Sequence, residues 1–180
     1  MMAASHRPTI QADLLPFIKT LIDITLMQKG PEHIPRSGLM LTMSITLWLL
    51  SALAAVALVD QMSESVFFVN VLSKMTGVAC FAAIIVVTGK SSRLLQTTSA
   101  IIGIGAIVTF AFVAEYLLVT PLLGKPYAVL FGTLILLWSV PVKGNIIARA
   151  IESHWYIGLL LAVFVFCLQY IISQLVTAQA

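Results

Sequence analysis

Residues 37–59 read SGLMLTMSITLWLLSALAAVALV: 23 residues without a charge, closed by Arg36 on one side and Asp60 on the other. At about 1.5 Å rise per residue, a helix of this length reaches roughly 35 Å and crosses a hydrocarbon layer of about 30 Å with some tilt. The stretch predicts a transmembrane helix. Arg7, Lys19, Lys29 and Arg36 precede it, while Asp60 and Glu64 follow closely. The excess of basic residues on the first side predicts a cytoplasmic N-terminus.

Composition extends that reading to the whole chain. Of 180 residues, 60% are hydrophobic and 9% charged, and the mean hydropathy is +1.05, whereas soluble domains carry roughly 25% charged residues. Further uncharged or nearly uncharged stretches cover about 68–89, 97–119, 127–143 and 156–176. The expected fold is all-α: a polytopic membrane helical bundle of five transmembrane helices (37–177) preceded by a cytoplasmic segment, residues 1–36. Under that topology Arg7, Lys19, Lys29, Arg36, Lys90, Arg93, Lys143 and Arg149 fall on the cytoplasmic side, Lys125 on the other, and Lys74 within a span. The asymmetry predicts an inner-membrane protein, N-terminus in and C-terminus out. It also assigns the net charge of +3 to membrane orientation rather than to nucleic acid.

The N-terminal segment changes character along its length. Residues 1–8 are polar and read as mobile. From Thr9 to Lys29, Ile10, Leu14, Phe17, Ile18 and Leu21 share one helical face and Asp13, Lys19, Thr20 and Asp23 the other. This pattern predicts an amphipathic helix, limited by Pro16, lying in the cytoplasmic interface or docking a partner. Gly30, Pro31 and Pro35 then break the helix and lead into the first span.

Within the later spans, a few residues stand out. Lys74 is expected to snorkel to the outer headgroups, and Glu115 sits toward the outer end of the next span, so the two form a candidate intramembrane ion pair. Ser99, Gly103, Gly105 and Thr109 are spaced for close helix approach. Pro141 is expected to kink a helix that continues past Lys143. The connection 143–155 is the most polar non-terminal stretch; Arg149 and Glu152, three apart, are expected to pair on a helix surface. With Gly30 and Pro31, its Asn145, Arg149, Glu152 and His154 are the candidate cytoplasmic interaction residues.

A cytoplasmic segment ending in Gly30-Pro31, five closely spaced spans and a short C-terminus on the far side resemble the Yip (Ypt-interacting protein) family and its small bacterial relatives. The remainder of that family's motif before the first span is absent. Eukaryotic members engage small GTPases in membrane trafficking; that role is not carried over to this chain.

Catalytic signatures are missing. His6, His33 and His154 all lie outside the spans, leaving a membrane-buried haem without ligands, and Cys80 and Cys167 sit mid-span without a C-x-x-C. No H-E-x-x-H or G-x-S-x-G occurs, and no metal or other cofactor is expected. The reading is therefore a non-catalytic membrane protein, an accessory, scaffold or membrane-organisation partner contacting lipids and other membrane proteins or itself. Two alternatives remain: a small transporter or channel subunit with Lys74 and Glu115 near a polar path, and a lipid-modifying enzyme built from Asn145, Arg149, Glu152 and His154.

Overall fold

Six helices account for the architecture of the computed structural model, which describes residues 10–59 and 64–177: α1 (Ile10–Thr25), α2 (Gly38–Leu58), α3 (Glu64–Val87), α4 (Leu94–Leu123), α5 (Lys125–Ala150) and α6 (Trp155–Thr177). His6, Arg7, the polar residues 1–8, Asp60 and the last three residues of the C-terminal tail lie outside the described residues. Short 3-10 turns at Pro31–His33 and Ser91–Arg93 complete the helical elements, and no strand occurs among the described residues. The uncharged stretch 37–59 forms α2. It starts where Ser37 caps it, the side chain accepting a hydrogen bond from the Leu39 amide at 3.1 Å, which satisfies one of the otherwise orphaned first-turn donors.

Among the described residues, four segments are long and apolar enough to cross a membrane: Gly38–Leu58, Ser91–Leu123, Lys125–Ala150 and Trp155–Val176. The apolar part of α3, Val71–Val87, is shorter. Large apolar side chains point outward, as at Leu53 (66% exposed), Val129 (69%) and Leu160 (71%), while Ser44, Ser51, Thr97, Ser99 and Ser139 are buried between helices. This arrangement fits a lipid solvent, which welcomes apolar surface and offers polar groups no partner, so small polar residues go inside and bond to backbone. Ser44, for example, donates to the carbonyl oxygens of Met40 at 3.0 Å and of Ser99 on α4 at 2.8 Å. The chain is an integral membrane protein.

Helix order in space follows from the cross-contacts. α4 is central, flanked by α2 and α5; α6 packs on α5, and α3 packs chiefly on α6. α3 and α6 run antiparallel. At one end Gln169 donates to the Ser73 carbonyl at 2.8 Å, at the other Lys90 meets Glu152, and the same number of residues separates the two contacts on either strand of chain. α5 and α6 meet backbone to backbone. A Cβ on Gly158 would run into the Gly144 carbonyl and lie 2.6 Å from the Ala148 Cβ, and one on Gly144 would lie 2.8 Å from the Leu159 Cα. Gly144 and Ala148 are four apart, so this is a small-xxx-small contact on a helix where the sequence reading did not expect one.

The small residues expected to bring spans together at α4 serve varied ends. Ser99 receives α2, whereas Gly103 receives Leu21 of α1, since a Cβ there would lie 2.8 Å from the leucine methyls. Phe17, Leu21 and Ile24 of α1, with Ile34, are buried in one core with Ile104, Val142, Ile146 and Ile147. Residues 1–36 are thus not a unit apart from the bundle, as far as they are described. α1 ends where Met27 adopts φ 58° and the Gln28 amide donates to the Asp23 carbonyl at 2.9 Å, a Schellman-type stop. Thr25 there accepts, through its carbonyl, the Trp138 indole N–H at 3.3 Å. α5 passes Pro141 and continues beyond Lys143 to Ala150.

Candidate functional site

Five of the six residues selected from the sequence as interaction candidates, Gly30, Pro31, Asn145, Arg149 and Glu152, converge at one end of the bundle. The 3-10 turn after α1 presents Glu32, whose carboxylate accepts from Arg149 Nη1 at 2.9 Å. Gly30 makes this approach feasible: a Cβ there would collide with the Glu32 carboxylate and the Arg149 side chain. Pro31 is buried at the first position of the turn, where its missing N–H costs nothing. Arg149 Nε lies 3.4 Å from Asn145 Oδ1, one helical turn back, a contact at the weak limit. The Asn145 amide nitrogen is buried without a hydrogen-bond partner.

Glu152 does not pair with Arg149 as expected on a shared helix surface. α5 stops at Ala150, and Glu152 turns into the left-handed region at φ 54° while the Ser153 amide closes back on the Ala148 carbonyl at 2.9 Å. The turn swings the carboxylate to Lys90 and Arg93, both of which donate to it. Arg93 also donates to the Arg149 carbonyl at 3.0 Å, covering an exposed acceptor at the C-terminal end of α5 where a cation is electrostatically favoured. The Lys90 hydrogen bond, then the charges of Arg93 and Lys90, hold the Glu152 carboxyl below its ordinary range. A third link ties the start of α2 to α4. Arg36 donates to Gln96 Oε1 at 3.1 Å, and Gln96 donates to the Ile34 carbonyl at 2.6 Å.

His154 stands apart from this network. Its ring stacks on Tyr156 with centroids 5.2 Å apart and planes 6° from parallel, both exposed beside Trp155. The cluster required for the lipid-enzyme alternative is therefore not assembled: Asn145 and Arg149 meet, Glu152 is engaged by two cations, and His154 lies in an aromatic stack. Among the described residues no three His, Cys, Asp or Glu side chains gather as a metal site would need. Sequence reasoning missed Glu32, Lys90, Arg93 and Gln96. Glu32 carried a signal, being an acid beside the first span on an otherwise basic side.

Lys74 and Glu115 are not brought together. Lys74 Nζ donates to Thr109 Oγ1 at 3.2 Å, near the midpoint of α4, so the ammonium sits at mid-height of the bundle instead of snorkelling outward. Lys143 of α5 lies within electrostatic reach of it. Both carboxylate oxygens of Glu115 are covered and lack a hydrogen-bond partner. Thr109 and Glu115 are six residues apart, which places them about 120° apart around a helix of 3.6 residues per turn. The two differ in height by about 9 Å along α4 as well as in face.

In comparisons with known proteins, no family model, no curated protein and no solved structure matches this chain.

Proposed function

We propose that the protein is a non-catalytic accessory or scaffold of the membrane, spanning it five times with the N-terminus in the cytoplasm, and that the charged end of the bundle is its docking face. Arg36, Lys90, Arg93 and Arg149 outnumber Glu32 and Glu152 there, which supports a cytoplasmic placement at a negatively charged leaflet. Counting α3 as a span rests on its antiparallel packing along α6 from Ser73 to Lys90. The observation that carries the reading is the interlocking of three separate stretches, around Glu32, Arg93 and Glu152, into one polar surface beside the exposed Trp155, His154 and Tyr156. Charged groups rimmed by exposed aromatics suit recognition of another membrane protein or a second copy. The Yip-like layout rests on Gly30-Pro31 and the span pattern, and adds the expectation of a protein partner on that same side. Affinity purification in mild detergent tests the reading: partners, or a homo-oligomer, are expected and should be lost when Trp155 and Tyr156 are replaced by alanine. Recovery of the protein alone as a monomer, at native expression, contradicts it.

A second reading, a small transporter or channel subunit, is favoured by the mid-height position of Lys74, since charged groups deep in membrane bundles line substrate or ion paths. Flux into liposomes that disappears with Lys74→Met would establish it in place of the first.

A further inference from the structure

Away from the charged end, a groove of about 350 Å³ opens between α4 and α5, with Val108 and Ala111 on one wall, Phe131 and Leu134 on the other, Trp138 and Thr25 closing one end, and Glu115 inside. The volume lies in the lower part of the range for small-molecule pockets. Its other polar groups are already engaged. The Trp138 indole N–H is given to the Thr25 carbonyl at 3.3 Å, and the Thr25 hydroxyl donates to the Leu21 carbonyl at 2.8 Å. Glu115 alone has nothing to bond: both oxygens are covered, and Gly132 of α5 lies opposite, within ordinary contact distance of the carboxylate and kept small by the Phe112 ring, which a Cβ there would meet at 2.8 Å.

We infer that this groove binds a small lipophilic ammonium, a primary or quaternary amine on an apolar body, with its charge at Glu115 and its body against the apolar walls. A buried carboxylate without partners is costly, and a cation offsets that cost better than a neutral donor. Phe131 and Trp138 also line the groove, and aromatic rings are the apolar surface that best tolerates a cation. A phospholipid ammonium fits less well. Glu115 lies eight residues, about 12 Å, below the end of α4, and no Lys or Arg lines the groove to take the phosphate that would follow.

The experiment measures saturable binding of tritiated benzyltriethylammonium to the full chain in phosphatidylcholine nanodiscs, against empty nanodiscs. One-to-one binding is expected, weakened on the order of tenfold or more by Glu115→Gln, the loss of one charged contact. Ala111→Phe, which fills the groove and keeps the carboxylate, should abolish it. A neutral carbon isostere of the probe should fail to compete on the wild-type protein, which keeps the test decisive if either variant does not fold. Absence of saturable binding, equal binding by the Glu115→Gln protein, competition by the neutral isostere, or displacement of the probe by phosphatidylethanolamine nanodiscs at stoichiometric lipid would each overturn the assignment.

Discussion

Glu152 and Glu115 occupy opposite ends of the molecule and opposite electrostatic situations. Glu152 is exposed at the charged end and holds Lys90 and Arg93; Glu115 is covered in the groove between α4 and α5 and holds nothing. At the watery end, charges are shared among chain segments and serve to tie the turns at 30–36, 90–93 and 149–154 together. Inside the bundle, polar groups bond to backbone, as Ser44 does, or to another side chain, as Lys74 does to Thr109, whereas the Glu115 carboxylate has no partner. The contrast separates residues that hold the structure from those available for a ligand.

The largest effect should come from destroying the frame that keeps the two regions apart. Gly158→Ala places a methyl against the α5 backbone and should cost about 3 kcal/mol, at the upper end for overpacking, read as a large drop in melting temperature in detergent. Next, Lys74→Met removes an ammonium held by a single hydroxyl at mid-height, and should stabilise the bundle by about 1–3 kcal/mol in the same assay. A neutral loss there would mean that Lys74 has a partner beyond Thr109.

The two acids give the sharpest comparison. Glu152→Gln should lower the melting temperature, and Glu115→Gln should raise it, since it removes a covered carboxylate that nothing in the chain offsets. The pH response carries the same distinction. The Glu152 carboxyl titrates lower when folded than when unfolded, so its contribution is fully present above the ordinary glutamate value of about 4.3 and is lost as pH falls through the lower folded value. Thermal stability should therefore decline on acidification below about pH 4.3, and the decline should be shallower in the Glu152→Gln protein. Smallest, Arg149→Ala breaks an ion pair whose side chains are 41% and 46% exposed, worth about 0.5 kcal/mol after screening.

Much of the fold could be read from the residues because lipid imposes a simple rule on long apolar stretches. The expected span 37–59 appears as Gly38–Leu58 and 156–176 as Trp155–Thr177. Boundaries slipped where polar residues lie inside a helix because another segment receives them. Gln96, which looks like loop, belongs to α4 and bonds to Arg36 and Ile34; Lys143 and Asn145 belong to α5. Similarly, Gly30, Pro31, Asn145, Arg149 and Glu152 were legible as polar punctuation near one membrane face, and the structure gathers them. Their partners Lys90 and Arg93 were hidden because any basic residue at a cytoplasmic helix end satisfies the positive-inside pattern without further purpose. The Lys74 to Glu115 pair is not formed for a different reason: packing decides both the depth at which Lys74 meets α4, beside Thr109 instead of near the outer headgroups, and which side of α4 faces which neighbour.

The account depends most on the charged end being a single face in one compartment, with the α4–α5 turn on the other. In a background lacking Cys80 and Cys167, single cysteines at Glu32, Glu152, Gly124 and Gln174 can be labelled in sealed membrane vesicles with an impermeant maleimide. Labelling of positions 32 and 152 from the cytoplasmic side, with 124 and 174 reached from the opposite side, is the predicted result. Labelling of 32 and 152 from different sides, or of 152 and 174 from the same side, would contradict it.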